Sequence, residues 1–230
     1  MLADISHRLF VFDCDGTLVD SQHNIVSAMG AAWARHDLPA PLAADVRRIV
    51  GLTLEAAIAR LLPEADDAKH RALAAAYREI VHDLRVNNAQ GTADEPLFPG
   101  IRELIEALAA PEIFLGVATG KNLRGLEHTL QVHGLRERFH TLQTADLCRG
   151  KPHPEMVLKA MAETGMDAAA TVVIGDTSFD MEMARAAGAT AIGVAWGYHE
   201  TAELTRAGAH AVIHQPADLL VELRRLAPAA

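Results

Sequence analysis

Apolar positions along this chain change period, and the change divides it into two kinds of segment. Leu9 to Phe12 is a short unbroken apolar run and reads as a buried strand. Roughly 70 residues of helical period come next. Ile25, Val26, Met29 and Trp33 stripe a helix over Ser21 to Leu38, which Pro39 and Pro41 stop. Val46, Ile49 and Val50 mark a short helix ending at Gly51. Thr53 is placed to cap the next, with Leu54, Ile58, Leu61 and Leu62 inward, up to Pro63. Asp66 to Gln90 reads as a long helix with the stripe Leu73, Tyr77, Ile80, Leu84 and a stop at Gly91. Thr92 to Pro99 reads as a linker.

From Gly100 onward, strands and helices alternate. Ile101, Leu104, Ile105 and Leu108 mark a helix, and Ile113 to Ala118 a strand that ends at Thr119-Gly120-Lys121. Leu123, Leu126 and Leu130 stripe a helix, and Thr141 to Thr144 is a short strand. Lys151-Pro-His-Pro opens a helix with Met156, Val157, Ala160 and Met161 inward. Thr171 to Ile174 is a strand ending at Gly175-Asp176, with Ser178 as cap of the helix that runs through Ala187. Ala191 to Val194 and Ala211 to Ile213 are further strands, and Leu219, Leu220, Leu223 and Leu226 line a last helix. Such alternation argues for a parallel sheet covered on both faces. The predicted fold is therefore α/β: a doubly wound, Rossmann-like core from residues 1–20 and 93–230. A βα connection is normally a few residues long, so residues 21–92 are predicted to be an inserted all-helical unit.

Four strand ends carry the chemistry: Asp13/Asp15, Thr119, the Lys151 region and Asp176/Asp180. The C-terminal ends of parallel strands lie along one edge, where open α/β sheets bind ligands. If strand geometry persists past Phe12, Asp13 and Asp15 face one crevice and Cys14 points away. Carboxylates that close repel, so a cation or a shared proton is required. Mg²⁺ suits an all-oxygen donor set. Lys151 is expected at a helix N-terminus, a position that favours anions.

Composition narrows the readings. The chain has 230 residues, half of them apolar, so one core with a smaller insert can be filled. A net charge of −9 disfavours nucleic acid and anionic membrane as partners. The two cysteines, Cys14 and Cys148, lack metal-site spacing and read as reduced thiols, the expectation for a cytoplasmic protein. The thiolate of Cys14 is disfavoured beside two carboxylates, so it is a poor nucleophile. The N-terminus lacks a signal-peptide layout and no apolar run is long enough to span a bilayer. A monomer and a homodimer are both open.

Asp13-x-Asp15-Gly16-Thr-Leu-Val-Asp-Ser after an apolar strand resembles the opening motif of the haloacid dehalogenase superfamily, in its phosphatase branch. Thr119 in Ala-Thr-Gly-Lys resembles the second motif, Lys151 in Lys-Pro-His-Pro-Glu the third, and Gly175-Asp176-Thr177-x-x-Asp180 the fourth. The helical insert resembles the family's helical cap, and the whole is most similar to phosphoglycolate-phosphatase-like members. The resemblance implies Mg²⁺-dependent hydrolysis of a small-molecule phosphomonoester through an aspartyl-phosphate. Asp13 would be the nucleophile. A carboxylate about 4 Å from a phosphate dianion is repelled by roughly 8 kcal/mol at an effective dielectric of about 20, which Mg²⁺ and Lys151 would offset. Asp13 and Asp176 would bind Mg²⁺ through carboxylates and Asp15 through its main-chain carbonyl. Asp180 would orient a metal water or Lys151. Asp15 would act as acid and then base, which calls for a raised pKa. Thr119 would hold a phosphoryl oxygen, with the amides of Gly16 and Gly120 beside it. The loop around Arg47, Arg48 and Gly51 is the candidate for contact with the rest of the substrate, Arg48 above all.

Two other functions stay open at this stage. A phosphosugar mutase of the same superfamily would share every motif. A signalling module phosphorylated on aspartate without turnover would share the sheet, acids, Thr and Lys, but would have no use for Asp15 or for a long helical insert. Gly116-Val-Ala-Thr-Gly-Lys121-Asn122 is one residue short of a nucleotide-binding P-loop and lacks its hydroxyl. The substrate itself is not legible: phosphoglycolate, pyrophosphate, nucleotides and sugar phosphates all fit the motifs.

Overall fold

The computed structural model describes residues 7–87 and 95–226. Their strands, β1 Leu9–Phe12, β2 Phe114–Thr119, β3 Thr141–Thr144, β4 Thr171–Gly175, β5 Thr190–Val194 and β6 Ala211–Ile213, form one sheet. The order is β3-β2-β1-β4-β5-β6 with every pair parallel. This is the α/β doubly wound arrangement expected. The order reverses direction at β1, so the crevice beyond its C-terminal end is the topological switch point.

Strand β1 is central because it is apolar on both faces, and all of its residues are buried. Phe10 and Phe12 turn to one side, where Ile101, Leu104 and Ile105 of α5 (Ile101–Ala107), Leu126 and Leu130 of α6 (Leu123–Val132) and Leu219 and Leu223 of α10 (Leu219–Leu226) pack. Leu9 and Val11 turn to the other, against α7 (Glu155–Thr164) and α8 (Ser178–Ala186). Strand register places Phe12 opposite Val117 and Ile174. The residues just past these pairs, Asp13, Thr119 and Asp176, therefore emerge side by side at one edge.

Between β1 and α5 come α1 (Gln22–Ala34), α2 (Ala43–Ile49), α3 (Leu54–Leu61) and α4 (Asp67–Asn87). They share an apolar cluster of their own, including Met29, Trp33, Val46, Ile58, Leu73 and Ile80, which α8 joins through Phe179. Thr53 caps α3 as expected, its Oγ1 accepting from the Ala56 amide at 3.4 Å. Helix α1 stops short of Leu38 because Asp37 takes a left-handed φ of 57° and the Leu38 amide folds back onto the Trp33 carbonyl. The expected stop at Gly91, the last turn to Gln90, the start of the linker and the 92/93 boundary lie outside the described residues.

Three local expectations are corrected. Lys151 does not begin a helix: α7 starts at Glu155, with Pro154 as its N-cap. A residue before proline is driven out of the helical region, and both Lys151 and His153 precede one. Ser178 does not cap α8. Thr177 does, in a reciprocal capping box with Asp180. Helix α9 (Thr201–Arg206), too short for a visible stripe, was not expected from the sequence. Among the described residues no helix is long and apolar enough to cross a membrane.

Because β1 is packed on both faces, Phe10→Ala is expected to lower unfolding free energy by about 3–5 kcal/mol, read from urea denaturation. A loss below about 1 kcal/mol would mean that this strand is not the centre of the core.

Candidate active site

Asp13 comes directly after β1, and its amide donates to the Ile174 carbonyl at 2.9 Å. The chain then turns rather than continuing as a strand. Thr17 and Leu18 donate back to the Cys14 carbonyl, and Gly16 has φ of 89°. A Cβ on Gly16 would collide with the Asp176 carboxylate, so glycine is required both for the turn and for this approach. Thr17 completes the contact by donating its hydroxyl to Asp176 Oδ1 at 2.8 Å, while the Tyr198 amide donates to Oδ2 at 2.9 Å.

Lys151 sits fully buried between two acids. Its Nζ is 2.7 Å from Asp13 Oδ1 and 2.6 Å from Asp180 Oδ1. Asp180 is held from behind: its Oδ2 accepts from the Thr177 amide at 3.0 Å and hydroxyl at 2.6 Å. The capping box of α8 thus aims a carboxylate at Lys151. Two acids beside it hold the Lys151 ammonium above its ordinary pKa in spite of burial.

Carboxylate oxygens of Asp13, Asp176 and Asp180 lie within 4.8 Å of one another, all buried. One ammonium faces three acids. Burial drives Asp13 well above the usual carboxylate range; Lys151 offsets part of this, while Asp180 and Asp176 add to it. Burial, and then Asp180, push Asp176 up to about 7. Asp13 Oδ2 is buried and accepts no hydrogen bond. A surplus of negative charge, an all-oxygen donor set and an orphaned carboxylate oxygen are the features a hard divalent cation satisfies. The residues present therefore fit Mg²⁺.

Asp15 has different partners from Asp13. Its Oδ1 accepts from Ser21 Oγ at 2.5 Å and from Lys121 Nζ at 2.6 Å. An ammonium and a hydroxyl thus converge on one oxygen of Asp15. Lys121 also reaches Glu95 Oε2 at 3.3 Å, and Thr129 donates to the same oxygen. Burial works against the Lys121 charge, but Asp15 and then Glu95 raise its pKa well above the ordinary value. Thr119 is fully buried at the end of β2 and its Oγ1 accepts from the Lys121 amide at 3.2 Å. Gly120 touches the α2–α3 turn so closely that a Cβ would strike the Leu52 carbonyl.

Arg48 is not gathered with these groups. Its guanidinium pairs with Glu203 Oε1 at 2.5 Å, in a separate cleft with Arg60, Phe179 and His199. The neighbouring residues Ile49 to Leu52 do line the cavity that opens at Asp15 and Gly120. His199 ties that turn to the core: its Nδ1 accepts from the Ser178 amide, so Nε2–H donates to the Arg48 carbonyl at 3.2 Å. Cys14 packs into the core, and burial pushes its thiol well up, in keeping with an inert cysteine.

Sequence reasoning passed over Thr17, Ser21, Lys121, Thr177 and Tyr198. Ser21 reads in the sequence only as the start of a helix. Ser21 is at the N-cap of α1 but makes no cap bond, its hydroxyl being spent on Asp15. A lysine just past the end of one strand gives no local sign of an acid at the end of its neighbour. Only pairing the strands brings the two together.

The architecture and this strand-end acid cluster define a class. The haloacid dehalogenase-like hydrolase family model matches residues 10–194, and the chain belongs to that family. It is 36% identical over 207 residues to the probable phosphatase IndB of Dickeya dadantii, covering 89% of this chain and 88% of that protein. It is 30% identical over 216 residues to a phosphoglycolate phosphatase of Xanthomonas campestris pv. campestris, covering 94% and 92%. A crystal structure of a hydrolase from Pseudomonas syringae superposes with a TM-score of 0.82 at 29% identity, covering 96% of this chain and all of that one (100%). This chain is thus a hydrolase.

The raised Asp176 gives a prediction. A carboxylate whose pKa is about 7 folded and about 4 unfolded takes up a proton on folding. Its contribution to stability is present below about pH 4 and is lost as pH rises through about 7. Mg²⁺ relieves the ionised cluster, so it should raise the Tm more at about pH 8 than at about pH 5. Each kcal/mol of difference corresponds to about 2–4 °C. Thermal melts with Mg²⁺ and with chelator measure this, and equal shifts at both pH values would contradict it.

Proposed function

We propose that this hydrolase is a Mg²⁺-dependent phosphatase of small-molecule phosphomonoesters, acting through an aspartyl-phosphate on Asp13. The observation that carries the reading is the buried placement of Asp13 against Lys151, with one carboxylate oxygen left unpartnered. Asp13 and Asp176, with the main-chain carbonyl of Asp15, would hold the Mg²⁺. Bound there, the ion supplies positive charge to phosphoryl oxygens.

The chain's own residues divide the remaining work. Asp13 attacks phosphorus through the carboxylate oxygen that does not hold the ion, and the bond from phosphorus to the leaving oxygen breaks. Lys151 neutralises charge on Asp13 and on the transferred group, and Asp180 keeps Lys151 in place. Thr119 and the amides of Gly16 and Gly120 hold phosphoryl oxygens. Asp15 gives its proton to the leaving oxygen and then removes one from the water that frees Asp13. Ser21 and Lys121 hold the Asp15 side chain in place through Oδ1. Phosphoglycolate, the substrate in the name of one relative, is the starting candidate.

We also propose that residues 21–92 act as a cap over the core formed by 1–20 and 93–230, excluding water from the site. The separate apolar cluster of α1 to α4 and the seating of Leu52 on Gly120 support this division. A phosphosugar mutase would share these groups, and the phosphatase names of the relatives favour hydrolysis over it; a non-hydrolysing signalling module would have no use for Asp15.

Phosphate release from a panel of phosphoesters, with Mg²⁺ and with chelator, tests the reading. Asp13→Asn is expected to lower turnover by about 10³-fold or more, and Asp15→Asn by about 10²–10⁴-fold. Turnover surviving in Asp13→Asn would remove the covalent route. A phosphoprotein that forms and does not turn over in the wild type would favour signalling.

A further inference from the structure

The cavity that opens at Asp15 holds about 970 Å³. That is the upper end of the range of about 300–1,000 Å³ for sites that enclose drug-sized ligands, and far more than a two-carbon acid fills. Leu52 already rests on Gly120, and His199 already holds the Arg48 carbonyl.

Its two sides differ in character. The helical side presents Ile25 and Met29 of α1, Leu52 and Leu54 at the start of α3, and Val81 and Leu84 of α4. Leu84 belongs to the inward stripe of α4, yet it is 44% exposed and lines this space. An apolar wall facing a cavity favours an apolar occupant.

The charged lining does not favour an anionic one. Asp15, Glu55, Glu95 and Asp146 outnumber Arg78, Lys121 and Arg124. The cation nearest the reacting centre, Lys121, is shared between Asp15 and Glu95, and Arg78 is paired with Glu55. A carboxylate entering beside Asp15 would meet an ammonium already shared between two acids.

Resting on the phosphatase reading, we infer that the substrate is a phosphomonoester whose leaving group is uncharged and carries a ring-sized apolar body, seated between Asp15 and the α1, α3 and α4 wall. Phosphoglycolate, with its small carboxylate-bearing leaving group, would be a poorer substrate.

The test compares primary alkyl phosphates, so that leaving-group reactivity stays close: 2-phenylethyl phosphate, ethyl phosphate and phosphoglycolate, with acetyl phosphate as a reactive reference. We expect kcat/KM for 2-phenylethyl phosphate to exceed that for each of the other two esters by about tenfold or more. Filling the wall, by Leu54→Trp or separately Val81→Trp, should lower the ratio of 2-phenylethyl phosphate to ethyl phosphate by about tenfold. Either variant that keeps its melting transition serves. A preference for phosphoglycolate or ethyl phosphate, or a ratio unmoved by both variants, overturns the inference and leaves the phosphatase reading standing. No phosphate released from any compound, acetyl phosphate included, overturns both.

Discussion

Three buried carboxylates around a single ammonium hold more negative charge than that ammonium can answer. A pair of like charges about 4 Å apart is unfavourable by about 4 kcal/mol at an effective dielectric of about 20, against a net domain stability of about 5–15 kcal/mol. Such a cluster persists only because the rest of the fold imposes it. Asp13 is carried by a strand buried on both faces, Asp176 by the next strand in register, and Asp180 by the capping box of α8. The surplus that makes the arrangement unfavourable alone is what fits it to a hard divalent cation.

The sheet supplies the convergence and the glycines supply the fit. With β1 between β2 and β4, acids and hydroxyls from segments far apart in the chain end on one edge. Gly16 lets the turn after Asp13 press against Asp176. Asp15, one turn further on, is handed to a different cation, Lys121. Two aspartates separated by one residue therefore have separate electrostatic environments. Such a separation allows one of them to be a nucleophile and the other a proton carrier.

Much of this was legible in the sequence because the signals were local. Unbroken apolar runs ending in Asp13, Thr119 and Asp176 announced buried strands with polar ends, and the sheet could only bring those ends together. The helical period from Ile25 to Leu84 announced an insert. What could not be read depended on contacts between distant segments or on fine backbone geometry. Lys121 gains its meaning only from Asp15 and Glu95, and Ser21 only from Asp15. Arg48 looked available for substrate because nothing nearby in the chain announces Glu203 as its partner. Lys151 was placed on a helix whose start the two prolines in fact push to Glu155.

The central claim is that Asp13 and Asp176 share a divalent cation with Lys151 close by. Anomalous diffraction from crystals soaked in Mn²⁺ as a stand-in for Mg²⁺ tests it most directly. The account predicts one strong peak between the Asp13 and Asp176 carboxylates, absent in Asp176→Asn crystals. A peak elsewhere, or none at that place with Lys151 still bridging Asp13 and Asp180, would contradict it.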